Sequence, residues 1–494
     1  MTGENARRIL RSTLFLVGAG SLLAYVAVAV PRITFPFELE WSEGSIADHV
    51  HRIVSGQQVY AAPSIDFVAT MYTPGYYYVA ALFALVFGEG FVALRLVAFL
   101  ASLAILGLIF AIVRKETGDR YAAALGAFLF AATFRETGGW FDVGRPDSLF
   151  LALLLAAAYR LRFAAAAREF AIAGLFLAAA ILTKQTALLL GAPLFAYACF
   201  AGRRGAIVFA VSCAGALLVF GGLLEWRSAG WFSYYVGATT GVERYKIWID
   251  ELLLPMPVAC LGALWLAYGG SATFADRRRG CAFYSLAALG LIGGSYFVNI
   301  QRHTAPNALM PPFACLAILF GIFLHESLRR VEAGGTGRTA LFIYTLGLLQ
   351  FATLAYNPWR LLPTSADEAG SRRLIEAIRA VDGPVLVYDR GSLARLAGKP
   401  GHASRVPVAA LNDRAARAVS AQFSAAIREG RYAAVVLTSP REFASELAYR
   451  YLPAERILPE DKVPKTVTFS DPNPNLFYRR RPPGDVPSVG DGLP

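Results

Sequence analysis

This sequence encodes, on three grounds, a polytopic all-α membrane protein with a small C-terminal α/β domain. Apolar residues make up 56% of the 494 positions and charged ones only 17%. Proteins built for water are usually roughly 45–50% apolar and about 25% charged. The arginines between the apolar runs cluster in every second loop. Beyond Tyr356 the apolar runs stop, and prolines and charges take their place.

About eleven spans are expected, at roughly 11–31, 91–113, 121–136, 147–164, 169–183, 186–202, 205–225, 252–270, 281–299, 306–326 and 338–357. The first follows Arg7, Arg8 and Arg11 and contains Ala27-Val28-Ala29, which looks like a signal-peptide cleavage site. Its apolar run exceeds the ~7–15 residues of a signal core, so a retained anchor is expected. Six basic groups then fall on one side: Arg7/Arg8/Arg11, Arg114-Lys115 with Arg120, Arg160/Arg162/Arg168, Arg203-Arg204, Arg277-Arg278-Arg279, and Arg329-Arg330 with Arg338. The positive-inside rule makes that side, and the N-terminus, cytoplasmic. In a bacterium this is the inner or cell membrane. Counting Pro74–Phe87 as a span would reverse every later cluster. This short, tyrosine-rich segment is therefore expected to lie at the outer interface.

The transmembrane catalytic domain then covers 1–357, with a first outer loop at about 31–90. That loop holds a surface helix over Ser45–Ser55, with Ile46, Val50, Ile53 and Val54 as an apolar stripe. Asp48 and His49 are expected on its solvated face, and Tyr76–Tyr78 as interfacial anchors. Residues 358–480 are expected to form an extracytoplasmic α/β domain. Its strands are near 384–388 and 433–437, and its helices near Arg372–Ala380 and Ala415–Glu429. Residues 481–494, rich in proline and glycine, are expected to be disordered. The net charge of +12 reflects the orienting arginines, and no nucleic-acid partner is expected. Cys199, Cys213, Cys260, Cys281 and Cys315 all lie in apolar segments without metal-ligand spacing.

Span parity assigns the remaining unusual polar residues to the outer face. They are Glu38, Glu40 and Glu43; Asp142, Arg145 and Asp147; Lys184-Gln185; Glu243-Arg244-Tyr245-Lys246; and Gln301-Arg302-His303. Five connections thus place acids and bases at head-group depth, where a charge without a role is costly. Each has a plainer explanation as well. Asp147 follows Pro146 at a helix start, where a carboxylate favours the dipole. Arg145 can snorkel to head groups, and Arg302 with His303 can cap a loop. Lys184 can mark a hairpin turn. It is nevertheless the lone charge in Phe170–Phe200, and a half-buried lysine there needs an anion. The acids at 38–43 have the weakest such explanation.

Glu40-Trp41-Ser42-Glu43-Gly44, Gly56-Gln57-Gln58-Val59-Tyr60, Tyr72-Thr73-Pro74-Gly75-Tyr76 and Leu94-Arg95-Leu96 resemble the first outer loop of GT-C glycosyltransferases. The protein-mannosyltransferase and lipid A aminoarabinose-transferase types are the nearest in kind. Gly144-Arg145-Pro146-Asp147-Ser148 and Thr183-Lys184-Gln185-Thr186 continue the likeness, which covers roughly 10–330. The resemblance implies transfer of a sugar from a polyprenyl-phosphate carrier to an extracytoplasmic glycan, lipid or protein. It implies a catalytic acid in the first outer loop, Glu43 or Glu40. A second acid in the next loop, Asp142 or Asp147, would assist or bind a divalent metal. The chain has Ser42-Glu43 where an acidic pair is usual, so metal use and the choice of base stay open.

The chemistry agrees. Inverting displacement at an anomeric carbon of a hexose or pentose needs a base for the acceptor hydroxyl, and burial tunes a carboxylate for that. An oxocarbenium-like transition state favours a nearby carboxylate. The leaving lipid phosphate needs cations, for which Lys184, Arg244 and Arg302 are candidates, with Arg145, Lys246, His303, Gln185, Asp147 and Tyr72 as further substrate contacts. Glu43 is the first choice of base and Glu40 the second. A glycan polymerase or ligase using a lipid carrier shares this chemistry. A lipid-linked sugar transporter or flippase would favour midplane charges and inverted repeats, and neither is visible.

Overall fold

The computed structural model describes residues 3–237, 249–268, 274, 276–301, 305–334, 336–468 and 472–482. Helices stand at each of the eleven expected positions. They are α1 (Gly3–Ile33), then, after α2 (Glu43–Val54) and α3 (Gly75–Phe87), α4 (Phe91–Thr117), α5 (Arg120–Ala132), α6 (Asp147–Arg162), α7 (Ala167–Thr183), α8 (Thr186–Ala201) and α9 (Arg203–Ser228). The short α10 (Trp231–Val236) precedes α11 (Pro257–Tyr268). Next, α12 (Arg277–Ala288) runs through wider turns at Leu289–Gly294 into α13 (Ser295–Asn299), and α14 (Met310–Glu332) and α15 (Gly337–Thr353) follow. Among the described residues, five helices are long and apolar enough to cross a membrane, or six if a bent pair counts as one span. The chain is an integral membrane protein. One continuous apolar core runs from Leu14 and Tyr25 through Ile109, Phe130, Leu154 and Phe313 to Tyr344. α9 is nearly bare of protein cover, with Leu218 and Val219 exposed as lipid-facing residues are.

Contacts between helix ends define the two ends of the bundle. The C-terminus of α1, the N-terminus of α4, the start of α6, the C-terminus of α7 and Asn307 ahead of α14 meet at one end. At the other end Arg7 pairs with Glu332 at 2.7 Å, and Glu116 joins Arg162 at 2.5 Å and the Tyr284 hydroxyl. The arginine-cluster end and the acid-loop end are therefore distinct.

Two expectations for the first loop are corrected. His49 is 1% exposed; its Nδ1–H donates to the Ser45 carbonyl and its Nε2 accepts from the Thr70 amide. Burial lowers its pKa to about 4, so it stays neutral. Asp48 is ion-paired with Arg395 at 2.8 Å. Neither is on a solvated face: Phe67, Thr70 and Tyr77 of the same loop enclose His49, and the C-terminal segment meets Asp48. Tyr76 and Tyr77 are fully buried, with the Tyr76 hydroxyl donating to the Leu94 carbonyl, and only Tyr78 is exposed. In α3 the residues left bare are Leu82, Leu85, Val86 and Phe87.

After α15 come α16 (Ser365–Arg379), β1 (Val385–Val387), α17 (Gly391–Leu396), α18 (Arg405–Ala409), α19 (Asp413–Arg428), β2 (Ala434–Leu437), α20 (Ala444–Arg450), β3 (Glu455–Arg456) and β4 (Leu476–Arg479). Sheet order is β1-β2-β4-β3, with β1 and β2 parallel and the other pairs antiparallel. The wholly apolar Val-Leu-Val and Ala-Val-Val-Leu strands are buried, as parallel strands covered on both faces require. β3 and β4 went unforeseen because they are short and carry charged ends. The expected disordered tail falls almost entirely outside the described residues.

Candidate active site

Glu43 opens α2 with no exposed surface. Its carboxylate accepts from Arg95 Nε at 3.0 Å and Nη2 at 2.7 Å, the Leu39 amide at 2.7 Å and the Gly144 amide at 2.6 Å. Burial pushes its pKa up, but Arg95 and the two amides outweigh it and hold the group below the usual carboxylate range. Gly144 permits this approach, since a Cβ there would sit 2.8 Å from Leu94 Cβ and 3.2 Å from Glu43 Oε1. Arg95 has its own shell, donating to the carbonyls of Arg32, Phe35 and Phe37. Every donor and acceptor of this pair is thus used within the protein.

Glu40, three residues earlier, differs. It too has no exposed surface, yet only Oε2 is engaged, by the Ser42 amide at 3.0 Å and more loosely by Arg145 Nη1 at 3.5 Å. Oε1 has no hydrogen-bond partner. Burial, helped by Glu43 and Glu38 and opposed by Arg145, raises its pKa to about 7. A carboxyl so placed has a free lone pair and a proton affinity near neutrality.

Asp142 lies 3.1 Å from Arg32 Nε, both fully buried, and neither carboxylate oxygen makes an aligned hydrogen bond. Burial raises its pKa against the pull of Arg32. Asp147, the first residue of α6, receives Lys184 Nζ at 2.6 Å and Asn307 Nδ2 at 2.8 Å on Oδ1, and Trp140 Nε1 at 3.0 Å on Oδ2. The anion that the lone lysine needed is therefore Asp147. Tyr72 joins the cations: Arg145 Nη2 donates to its hydroxyl at 2.9 Å, and the Arg145 guanidinium and Lys184 Nζ lie 5.3 and 5.6 Å from its ring centroid. Arg145 and Lys184 are each 7% exposed. Gln185 donates to the Met71 carbonyl at 2.5 Å and leaves its Oε1 unpartnered, as Arg145 leaves its Nε.

The structure thus brings Glu40, Glu43, Asp142, Arg145, Asp147, Tyr72, Lys184 and Gln185 to one end of the bundle. Arg244, Lys246, Arg302 and His303 lie outside the described residues. Glu38 belongs to the contact with the C-terminal segment, bonded to Arg390 and Ser392. A divalent metal does not suit this donor set. The nearest acids each face a cation of their own, and no group of three His, Cys, Asp or Glu among the described residues stands close enough to share an ion. The residues missed were Arg32, Trp140 and Asn307, and Arg95, though part of the Leu94-Arg95-Leu96 motif, was given no role. Arg95 carried the same signal as Lys184, a charge set in an apolar run.

Residues 72–226 match the model of the dolichyl-phosphate-mannose-protein mannosyltransferase family. The structure superposes on ArnT from Cupriavidus metallidurans bound to undecaprenyl phosphate with a TM-score of 0.60, at 13% identity, covering 94% of this chain and 97% of that one. The chain has a GT-C fold. The apo form of the same ArnT gives a TM-score of 0.59 at 14% identity, with the same coverage. The archaeal oligosaccharyltransferase AglB from Archaeoglobus fulgidus, in complex with an inhibitory peptide and a dolichol-phosphate, gives 0.52 at 12% identity, over 89% of this chain and 72% of that one. No curated protein matches the chain by sequence. The ArnT and AglB structures carry undecaprenyl phosphate and a dolichol-phosphate respectively.

Proposed function

We propose that the protein transfers a sugar from a polyprenyl-phosphate carrier to an acceptor hydroxyl on the extracytoplasmic side, with Glu40 as general base. One observation carries this reading. A buried carboxyl with a free oxygen and a pKa near 7 stands 3.5 Å from Arg145, which shares one tyrosine ring with Lys184. The topology that goes with it has eleven spans, a cytoplasmic N-terminus, and residues 358–480 as an extracytoplasmic domain.

In the reaction the acceptor oxygen attacks the anomeric carbon, the bond from that carbon to the phosphate oxygen breaks, and the phosphate leaves with the electron pair. Glu40 Oε1 takes the acceptor's proton. Arg145, whose Nε is unpartnered, and Lys184 meet the leaving phosphate. A single displacement inverts the anomeric configuration. Gln185 Oε1 accepts from a substrate hydroxyl, since a buried acceptor left unpaired costs about 1–3 kcal/mol. The first choice of base moves from Glu43 to Glu40 because Glu43 has no free lone pair and its proton affinity is depressed.

The test is reconstitution in vesicles with polyprenyl-phosphate-linked sugars and a panel of glycan, lipid and peptide acceptors. The expected result is sugar on the acceptor with release of polyprenyl phosphate in equal amount. Translocation of the intact lipid-linked sugar without cleavage would overturn the reading.

A further inference from the structure

The C-terminal segment meets the bundle along Phe37–Glu40, and successive residues there point to different sides. The Phe37 ring is buried in the core of the C-terminal sheet with Leu374, Ile378 and Val387, while its carbonyl accepts from Arg95 Nη2 at 2.6 Å. The Glu38 carboxylate accepts from Arg390 Nη1 at 2.6 Å and Ser392 Oγ at 2.5 Å; all three residues are buried. Leu39 returns to the core of the bundle, and its carbonyl takes two bonds from one C-terminal residue, Thr468 N at 3.1 Å and Thr468 Oγ1 at 3.0 Å. Glu40 is next. Gly44 shows how closely the two parts fit, because a Cβ there would fall 2.0 Å from Glu38 Oε1 and 2.2 Å from Ser392 Oγ.

We propose that the C-terminal α/β segment is a positioning clamp for the catalytic loop, in which Arg390, Ser392 and Thr468 fix the backbone of residues 38–39 and so aim the Glu40 carboxylate at the acceptor hydroxyl. This rests on the reading of Glu40 as base. The backbone of 37–42 is irregular and lies in neither a helix nor a strand. Such a segment holds a side chain to within a few tenths of an ångström only if both flanks are tied. Arg95 and Glu43 tie it from the bundle, and Arg390, Ser392 and Thr468 tie it from the other side. The same contacts seal it from water. The charged groups facing Glu40 are Arg145, Glu43 and Glu38, and all of them remain when Thr468 is changed.

The test compares Thr468→Val, Thr468→Ser and Arg390→Ala with Arg395→Ala. The last breaks only the partly exposed pair to Asp48 in the same contact. Transfer is measured in vesicles as kcat and donor KM across pH. Thr468→Val is expected to lower kcat roughly tenfold, and Arg390→Ala on the order of 10²-fold, with donor KM unchanged. The acid limb of kcat is expected to move to lower pH, because water reaching Glu40 relieves its burial. Thr468→Ser restores the hydroxyl and the rate, and Arg395→Ala behaves as wild type. Thr468→Val needs no buried charge to be stranded, so it stays informative if Arg390→Ala fails to fold. Wild-type kcat and acid limb in Thr468→Val would overturn the clamp. Full transfer by Glu40→Gln would instead overturn the assignment of the base, whatever the clamp variants do.

Discussion

Glu43 and Glu40 lie three residues apart in one loop, equally buried, each facing an arginine, and they end in opposite states. Around Glu43 the protein supplies four donors to two oxygens, so the charge is fully compensated and the pKa falls. Around Glu40 it supplies one amide and an arginine at 3.5 Å, so burial dominates and the pKa climbs to about 7. Burial alone does not identify a catalytic acid. What separates a structural anchor from a base is how many of its lone pairs the fold has already used.

The largest effect that sharpens this contrast is Glu40→Gln. It is expected to cut transfer on the order of 10²–10⁴-fold while the protein folds normally, as measured by turnover on purified, monodisperse protein. Arg95→Met is expected to do the reverse, stranding a buried carboxylate and costing about 3–5 kcal/mol of stability, read as a lower thermal midpoint in detergent. A wild-type midpoint for Arg95→Met would break the comparison.

The two acids also act oppositely on stability as pH changes. The Glu40 pKa is raised on folding, so its contribution is complete below the ordinary carboxyl pKa and is lost as pH rises through about 7. The Glu43 pKa is lowered, so its contribution is present above the ordinary value and is lost as pH falls through the depressed one. Glu40→Gln removes the first penalty. Its thermal midpoint is therefore expected to exceed the wild-type value at about pH 8 and to converge with it toward about pH 4.5. Equal midpoints at both would mean that Glu40 is not held in a raised state.

Lys184→Ala probes the cation side with a smaller effect. Asp147 keeps Asn307 and Trp140, so the fold is expected to survive. The donor KM rises by a factor of about 10–100, the worth of one charge-assisted hydrogen bond. Unchanged donor affinity would leave Lys184 as an anchor for Asp147 alone. The smallest effect belongs to Asp48→Asn, which loses a partly exposed pair worth about 0–1 kcal/mol and leaves transfer unchanged.

Much of this was legible in the sequence because its cause is local. Apolar run length placed helices at the stretches expected as spans, and the solitary Lys184 in a long apolar run announced a buried anion, which proved to be Asp147. The wholly apolar stretches near 385 and 435 announced two covered strands, which pair in parallel. What stayed hidden depends on distant partners. The saturation of Glu43 needs Arg95 and Gly144, far along the chain, so Glu43 and Glu40 look alike in sequence. Asp48 looked solvated because its partner Arg395 follows it by 347 positions. Glu38 looked like an interfacial acid because Arg390 is 352 positions away.

The measurement closest to the central claim is the single-turnover rate of transfer against pH, with donor bound at saturation. If Glu40 is the base, the rate rises with pH through an acid limb near 7, where its carboxyl titrates, and Glu40→Gln has no such limb. An acid limb at the ordinary carboxyl value, or the same limb surviving in Glu40→Gln, would contradict the account.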